Sequence, residues 1–250
     1  MAHGLNEKQQ QSVNLDEETN ALILAGAGSG KTRVLTHRIH YLISEKNNHV
    51  DNILAVTFTN KAANEMRERL SDLLRRPIGR MWVGTFHSLA HRLLRTHSIE
   101  ANLSSNFQIL DAQDQFRIVK RLMKENAIDE TKFPIKKVQW FINQQKDEGL
   151  SPQEIDSGYN YFVKQSAKIF ELYEKYCQAN NLVDFAGLLV KSYELLKNNK
   201  SLLEQYQKRF HHILIDEFQD TNRIQYEWIK LLHTQQNHIF CVGDDDQSIY

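Results

Sequence analysis

The sequence GSGKT at residues 28–32 has the composition and order of a phosphate-binding loop. Its glycines allow backbone N–H groups to curve around phosphate oxygens, and a helix that begins directly after the loop adds a favourable dipole. The Lys31 ammonium can neutralise the β and γ phosphates, and the Thr32 hydroxyl is a suitable Mg²⁺ ligand. The general pattern begins with glycine, where this sequence has alanine. The loop residues predicted to hold a nucleotide are Ala25, Gly26, Ala27, Gly28, Ser29, Gly30, Lys31 and Thr32.

An acidic pair, Asp216 and Glu217, directly follows the apolar run ILI at 213–215. Because the carboxyl ends of parallel strands meet at one edge of a sheet, we expect this pair to lie beside the glycine loop. Asp216 would then support Mg²⁺, and Glu217 would orient or deprotonate the water that attacks the γ phosphate. Such a pair, taken alone, is also typical of a surface turn that caps the next helix. Together with the loop, it predicts a hydrolytic site.

A second polar turn, GDDDQ at 243–247, follows another apolar run at 238–242. Its position after a strand would present Gln247 to the same phosphates, although the turn alone predicts nothing more than a loop. A hydrolysing nucleotide site usually also contains a cation opposite the γ phosphate, such as an arginine finger. No residue after Tyr250 is present to supply one. We therefore expect the site to be completed by residues outside this sequence.

Alternating strand and helix patterns would position these residues. The apolar runs at 21–25 and 53–58 each lead into a helical pattern, and MWVG at 81–84 is a further short strand. From about residue 86 to 208 the periodicity is helical, and the strand and helix alternation resumes at 211. This order predicts an α/β fold with a parallel sheet, built from residues 1–88 and 209–250 and interrupted by a helical insertion at 89–208.

Composition excludes several classes of protein. The 250 residues are 41% hydrophobic and 25% charged with 3 Pro, which is typical of a folded soluble chain. Cys177 and Cys241 belong to no CxxC or Cys/His cluster, so thiol-based metal and redox sites are disfavoured and a reducing cytoplasm is expected. No signal peptide or membrane span is predicted. The zero net charge hides a basic segment at 61–100 and an acidic one at 216–250.

Seven segments carry a resemblance that extends over the whole chain. They are LNEKQQ (5–10), AGAGSGKTRV (25–34), AVTFTNKAA (55–63), VGTFHSLA (83–90), LVDFAGLL (182–189), ILIDEFQDTN (213–222) and VGDDDQSIY (242–250). In this order they resemble the motifs of superfamily 1 DNA helicases of the UvrD/Rep/PcrA family, most closely its UvrD branch. The resemblance implies a RecA-like P-loop NTPase domain, called 1A, with a parallel sheet, interrupted by an all-helical subdomain, 1B.

The resemblance also implies roles for individual residues, with ATP and Mg²⁺ as cofactors. Gln9 would read the adenine edge and Arg33 would pack on the adenine, whereas Lys31 and Thr32 would hold phosphates and Mg²⁺. Asp216 would support the metal, Glu217 would be the catalytic base, and Gln247 would link the γ-phosphate state to DNA. The positions that match contacts to single-stranded DNA are Phe58, Asn60, Lys61, His87 and Tyr250.

The function implied is that of the N-terminal part of an ATP-dependent 3′-to-5′ DNA helicase. Such an enzyme would act on single-stranded DNA and on single-strand/duplex junctions in nucleotide excision and mismatch repair, with repair proteins as further partners. Because translocation requires two motor domains, we expect the 250 residues alone to lack efficient activity. The alternatives are a Rep- or PcrA-like replication helicase, a nucleotide-switched DNA-binding module and, more distantly, a helicase–nuclease or a small-molecule P-loop kinase.

Overall fold

Strands and helices alternate along most of the chain in the computed structural model, which describes residues 4–26, 28–79 and 81–244. In chain order the strands are β1 (Ala21–Leu24), β2 (Ile53–Thr57), β3 (Trp82–Thr85), β4 (Gln108–Leu110), β5 (Leu182–Asp184), β6 (His212–Ile215) and β7 (His238–Gly243). The α-helices are α1 (Glu7–Val13), α2 (Lys31–Ser44), α3 (Asn60–Leu74), α4 (Phe86–Thr96), α5 (Ala112–Glu125), α6 (Ile135–Asp147), α7 (Tyr161–Ala179), α8 (Phe185–Asn198), α9 (Lys200–Arg209) and α10 (Arg223–Leu232).

The chain divides into two compact units, which we call the sheet unit and the helical unit. The sheet unit consists of Met1–Leu89, Asn199–Thr221 and Ile229–Tyr250. The helical unit consists of Ala90–Asn198 and Asn222–Trp228. Each unit has its own hydrophobic core.

A five-stranded parallel sheet in the order β1-β7-β6-β2-β3 organises the sheet unit. The two strands beside β2 are β6 and β3, and every residue of β2 and β6 is buried. Such strands, covered on both faces, are continuous apolar runs, which explains ILAVT and HILI in the sequence. The predicted parallel sheet of an α/β fold is therefore confirmed.

Amphipathic helices cover this sheet. Leu35, Ile39 and Leu42 of α2 share one face and are fully buried with Met66 and Leu70 of α3. Thr59 caps α3 through its side chain, which accepts a hydrogen bond from the Ala62 backbone N–H. The Thr59 cap fixes where α3 begins, whereas α2 begins after Gly30 without a side-chain cap.

The helical unit has its core between α5, α6 and α7, where Val119, Val138 and Ile169 are fully buried. Its regular structure is not helical throughout, because β4 and β5 form a short parallel pair with Ile109 opposite Val183. The expectation of an all-helical insertion missed this pair, since three-residue strands are too short to show a period. Within the described ranges, each helix is too short or too polar to span a bilayer.

Candidate functional site

The glycine loop joins β1 to α2 and folds over the start of the helix. Gly28 and Gly30 have φ values of 74° and 84°. Residues other than glycine rarely adopt this left-handed backbone conformation. Gly30 is the residue that immediately precedes α2. A Cβ at Gly30 would also lie 3.0 Å from Gln9 Nε2. The two glycines therefore give the loop the left-handed turns that lead into the N-terminus of α2, the kind of helix end that binds anions.

Lys31 is buried at this helix start and its ammonium faces two carboxylates. Its Nζ donates to Ala25 O at 3.0 Å and to Asp244 Oδ2 at 3.2 Å, and Glu217 Oε2 lies 3.7 Å away. The Lys31 side chain is 7% exposed and that of Asp244 is 2% exposed, whereas Glu217 is 37% exposed. The lysine is thus held in the loop by protein oxygens that an incoming phosphate would have to replace.

Thr32 and Asp216 meet in front of the loop. The Thr32 hydroxyl donates to Asp216 Oδ2 at 2.9 Å, although the two residues are far apart in the sequence. Burial raises the pKa of Asp216, which the Thr32 hydrogen bond opposes. A hydroxyl and a buried carboxylate at this spacing are oxygen donors of the kind that Mg²⁺ takes in combination with phosphates. The pair therefore fits a hard divalent cation.

Glu217 follows directly and adopts an unusual backbone conformation. Its φ of 47° lies in the left-handed region, which for a residue other than glycine is a marked departure from the common conformations. Gln219 Nε2 donates to Glu217 Oε2 at 2.9 Å, and the Asp244 backbone N–H donates to Gln219 Oε1 at 3.0 Å. Left-handed residues of this type concentrate at functional sites, where the surrounding structure holds them.

A cavity of about 440 Å³ opens in front of Lys31, Thr32 and Glu217. Three residues on one face of α3, Ala62, Glu65 and Arg69, line it as well. Arg69 Nη2 lies 3.8 Å from Glu65 Oε2, and Arg69 also lines an adjoining cavity of about 420 Å³ with Arg33. None of the three is among the residues predicted from the sequence to form the site, but their spacing of three and four along a helix that follows the AVTFTN motif is a signal that could have found them.

Gln9 and Arg33 flank the same loop. Gln9 Nε2 donates to Ser29 O at 2.8 Å, and its Oε1 accepts from the Asn6 backbone N–H at 2.9 Å as part of the cap of α1. Arg33 is exposed and lines both cavities. Of the two residues predicted to contact a base, Gln9 therefore lies beside the loop and Arg33 beside both cavities.

A second group of predicted residues lies at the ends of β2 and β3. Thr57 pairs with Thr85 in the sheet, so Phe58 and Phe86 follow adjacent strand ends, and their rings meet edge to face at 5.7 Å. Asn60 and Lys61 are exposed at the start of α3. Burial lowers the pKa of His87 to about 4, so this imidazole is neutral at physiological pH. The structure thus brings Phe58, Asn60, Lys61 and His87 to one part of the sheet edge and the loop residues to another.

Three predicted residues, Ala27, Gln247 and Tyr250, lie outside the described residues. Among those described, no group of three or more His, Cys, Asp or Glu side chains is arranged to hold a metal. The two cysteines are buried and unpaired, and burial raises the pKa of each thiol to about 12, so neither is a thiolate at neutral pH.

Comparison with known proteins agrees with this geometry. The family described as "UvrD/REP helicase N-terminal domain" matches residues 5–250. The chain is 52% identical over 246 residues to DNA helicase II of Escherichia coli and of Salmonella typhimurium, which covers 98% of the chain and 34% of each relative. It is 41% identical over 248 residues to ATP-dependent DNA helicase PcrA of Bacillus subtilis, covering 99% of the chain and 33% of that relative. The chain thus spans about a third of the length of these relatives.

Proposed function

The chain belongs to the UvrD/REP helicase family, and on that premise we propose that it forms the N-terminal part of an ATP-dependent DNA helicase. The whole protein would translocate 3′ to 5′ on single-stranded DNA and unwind duplex DNA at single-strand/duplex junctions. The observation that carries the proposal is the convergence of Lys31, Thr32 and Glu217 on one cavity, with Asp216 hydrogen-bonded to the Thr32 hydroxyl behind it. This set contains a phosphate-binding cation, two metal ligands and a base for water.

In the proposed reaction, each residue of the site has a role in ATP hydrolysis that follows from its position. The loop N–H groups and Lys31 bind the β and γ phosphates. Thr32 and Asp216 would hold Mg²⁺, which would supply charge neutralisation at the phosphate oxygens. Glu217 is more exposed than Lys31 and faces the cavity, where it orients and deprotonates the attacking water. Gln9 and Arg33 are proposed to bind the adenine, and Gln247 to sense the γ phosphate.

The DNA strand is proposed to follow the other part of the sheet edge. Phe58 and Tyr250 would stack on bases, an interaction worth about 1–3 kcal/mol per base that tolerates any sequence. His87, being neutral, would contribute a hydrogen bond or a ring face, and the exposed Asn60 and Lys61 would contact the phosphate backbone. Both groups of residues border the same parallel sheet. A change at the nucleotide phosphates could therefore be transmitted through that sheet to the residues proposed to bind DNA.

We propose that residues 1–88 and 209–250 form domain 1A and residues 89–208 form subdomain 1B. These correspond to the sheet unit and the helical unit, except that Leu89 and residues 199–208 lie in the sheet unit and Asn222–Trp228 lies in the helical unit. The repair role in nucleotide excision and mismatch repair is proposed over a replication role because the identity to proteins named DNA helicase II, 52%, exceeds the 41% identity to PcrA. Repair proteins would then be partners of the whole protein.

The proposal is tested by ATP hydrolysis and strand separation. A chain extended to the length of the relatives should hydrolyse ATP faster with single-stranded DNA and should unwind duplexes with a 3′ overhang in preference to those with a 5′ overhang. Lys31→Ala should abolish both activities, and Lys120→Ala, at an exposed lysine of α5, should change neither. Turnover by the 250 residues equal to that of the extended chain, or turnover indifferent to DNA, would reject a motor with a divided ATP site.

A further inference from the structure

Four residues at the site close into a ring. Lys31 Nζ lies 3.2 Å from Asp244 Oδ2 and 3.7 Å from Glu217 Oε2. Gln219 joins the two acidic residues, since its Nε2 donates to Glu217 Oε2 at 2.9 Å and its Oε1 accepts from the Asp244 backbone N–H at 3.0 Å. We call Lys31, Glu217, Gln219 and Asp244 the lysine ring. Of these residues, Gln219 and Asp244 have no role in the proposed reaction.

An amide side chain meets both requirements of the position of Gln219 in this ring. The carboxylate of Glu217 needs a donor and the Asp244 N–H needs an acceptor, and the glutamine amide offers both from adjacent atoms. Its orientation is set by these partners, because a flipped amide would place oxygen against carboxylate oxygen and N–H against N–H. A glutamate would lose the donor, and a lysine or arginine would lose the acceptor.

The neighbouring backbone leaves room for this side chain and for little else. A Cβ at Gly243 would lie 3.0 Å from Gln219 Oε1, so the amide packs directly on the end of β7. Gln219 is half-buried and belongs to the short 3₁₀ turn Phe218–Asp220. Glu217 precedes that turn in its left-handed conformation. The glutamine therefore ties the candidate base to a strand end that sequence alone does not connect with it.

We propose that Gln219 is a positioning residue, which holds the Glu217 carboxylate in its water-activating orientation when Lys31 leaves the ring to bind a phosphate. The inference rests on the proposed function of Glu217. In the structure Lys31 attracts both carboxylates, but a γ phosphate on Lys31 competes with them. The Gln219 hydrogen bonds do not depend on Lys31, so they persist in the nucleotide-bound protein. Asp244, through its backbone N–H, is the anchor on β7.

The test is Gln219→Met in the extended chain, because methionine keeps the volume and removes both hydrogen bonds without adding charge. We expect kcat for DNA-stimulated ATP hydrolysis to fall about 10- to 100-fold, as displacement of a catalytic group by about 1 Å can cost 100-fold. The dissociation constant of ADP should change less than about threefold. Gln207→Met is the matched control, since Gln207 Nε2 donates to Leu231 O at 2.8 Å, among residues that do not line the nucleotide cavity. It should leave kcat unchanged.

A double-mutant cycle with Glu217→Gln separates positioning from a structural effect. Because Gln219 acts through the Glu217 carboxylate, Gln219→Met should reduce kcat no further in the Glu217→Gln background. An additive loss, a parallel loss of ADP affinity, or kcat within about twofold of wild type would overturn the inference. Should Gln219→Met fail to fold, Gln219→Glu, which keeps the acceptor for Asp244, is subject to the same criteria. If Glu217→Gln itself hydrolyses ATP at the wild-type rate, the proposed function of Glu217 fails instead.

Discussion

Two buried lysines, one in each unit, each face two carboxylates, yet their surroundings differ. Lys146 Nζ in the helical unit lies 2.7 Å from Asp184 Oδ2 and 2.6 Å from Glu174 Oε1. Asp184 accepts three further hydrogen bonds, from the Tyr173 hydroxyl, Gln115 Nε2 and the Gly187 backbone N–H. In the sheet unit, the distances from Lys31 to its two carboxylates are 3.2 and 3.7 Å, and a cavity opens beside it.

The difference separates a structural ion cluster from the proposed nucleotide site. Lys146 and Asp184 hold each other charged, since the carboxylates raise the pKa of Lys146 against the effect of burial, and Lys146 lowers the pKa of Asp184 against the same effect. Lys146 and Asp184 already have charged and hydrogen-bonding partners within the protein, so their charges need no ligand to balance them. Lys31 has longer contacts and open space in front of it, which lets a phosphate replace its protein partners. Long distances at a buried cation beside a cavity therefore indicate a site that is completed by a ligand.

The first prediction compares the glutamates at the two lysines. In the extended chain, Glu217→Gln should reduce DNA-stimulated kcat about 100- to 10,000-fold, the contribution typical of a general base, with ATP still bound. Glu174→Gln makes the same chemical change at Lys146 and should leave kcat per folded molecule unaltered. Steady-state hydrolysis and nucleotide titration measure both. Equal losses in the two variants would show that the site around Lys31 is not catalytic.

The second prediction compares the aspartates. Asp184→Asn removes the charge that balances the buried Lys146 and should lower the free energy of unfolding by about 3–5 kcal/mol. Asp244→Asn should cost on the order of 1 kcal/mol, because Glu217 and the Ala25 carbonyl remain near Lys31. Urea unfolding of the 250-residue chain gives both values. If Asp244→Asn lowers the free energy of unfolding more than Asp184→Asn does, the lysine ring supports the fold rather than the Lys146 cluster, by which we mean Lys146, Glu174 and Asp184.

The sequence predicts that Lys31 belongs to a site, but it does not predict the buried ion cluster of Lys146, and the reason is physical. Lys31 lies in a local pattern, in which the glycines, the lysine and the threonine all act within one loop and one helix turn. Lys146, in contrast, owes its environment to Asp184 and Glu174 on other elements, and the sequence INQQKDEG carries no sign of them. Gln219 is an intermediate case, because it lies inside a recognised motif but its partner Asp244 is in another.

The same limit applies to the fold. The parallel sheet, the helices α2 and α3 and the helical character of most of residues 86–208 follow from apolar runs and periodicity, so the prediction of the α/β class is confirmed. The strand order β1-β7-β6-β2-β3 depends on pairing between distant segments, such as Ala21 with Phe240, which no local pattern encodes. The pair β4 and β5 was missed for the same reason, since its three-residue strands become recognisable only through their partner.

The third prediction concerns acid stability of the two units. Burial, reinforced by the neighbouring His238, Arg38 and His211, lowers the pKa of His212 in the sheet unit to about 4, and burial alone does so for His87. Both are neutral when folded and become protonated below about pH 6.5 when unfolded. Their contribution to stability is therefore complete above pH 6.5 and is lost as the pH falls towards 4, on the order of 3 kcal/mol for each histidine.

The Lys146 cluster responds at lower pH. Because the pKa of Asp184 is lowered, its contribution is present above the usual aspartate value of 3.8 and is lost only below it. Hydrogen exchange between pH 7 and 4 should show loss of protection in β2, β6 and β7 before α5, α6 and α7. His212→Gln should reduce this pH dependence in the sheet unit. Simultaneous loss in both units would contradict the assignment of the acid effect to the buried histidines.

The last and smallest effect comes from placing one methyl group in each region. At Gly187 a Cβ would lie 2.7 Å from Asp184 Oδ1, which is fixed by its other partners, so Gly187→Ala should cost about 1–3 kcal/mol. The higher helix propensity of alanine should offset up to about 1 kcal/mol of this loss in the free energy of unfolding. At Gly243 the nearest atom is Gln219 Oε1 at 3.0 Å, the end of a side chain that can move by a few tenths of an ångström.

Gly243→Ala should therefore change stability little but should displace Gln219, and with it Glu217, so that kcat falls about two- to fivefold, within the range that small misplacements produce. Unfolding midpoints and hydrolysis rates of the two glycine variants give the comparison directly. In the rigid cluster around Lys146, the added methyl group should lower the free energy of unfolding. In the lysine ring, it should instead lower kcat. If Gly243→Ala lowers stability and leaves kcat intact, the ring is as rigid as the Lys146 cluster and Gln219 does not transmit a displacement to the base.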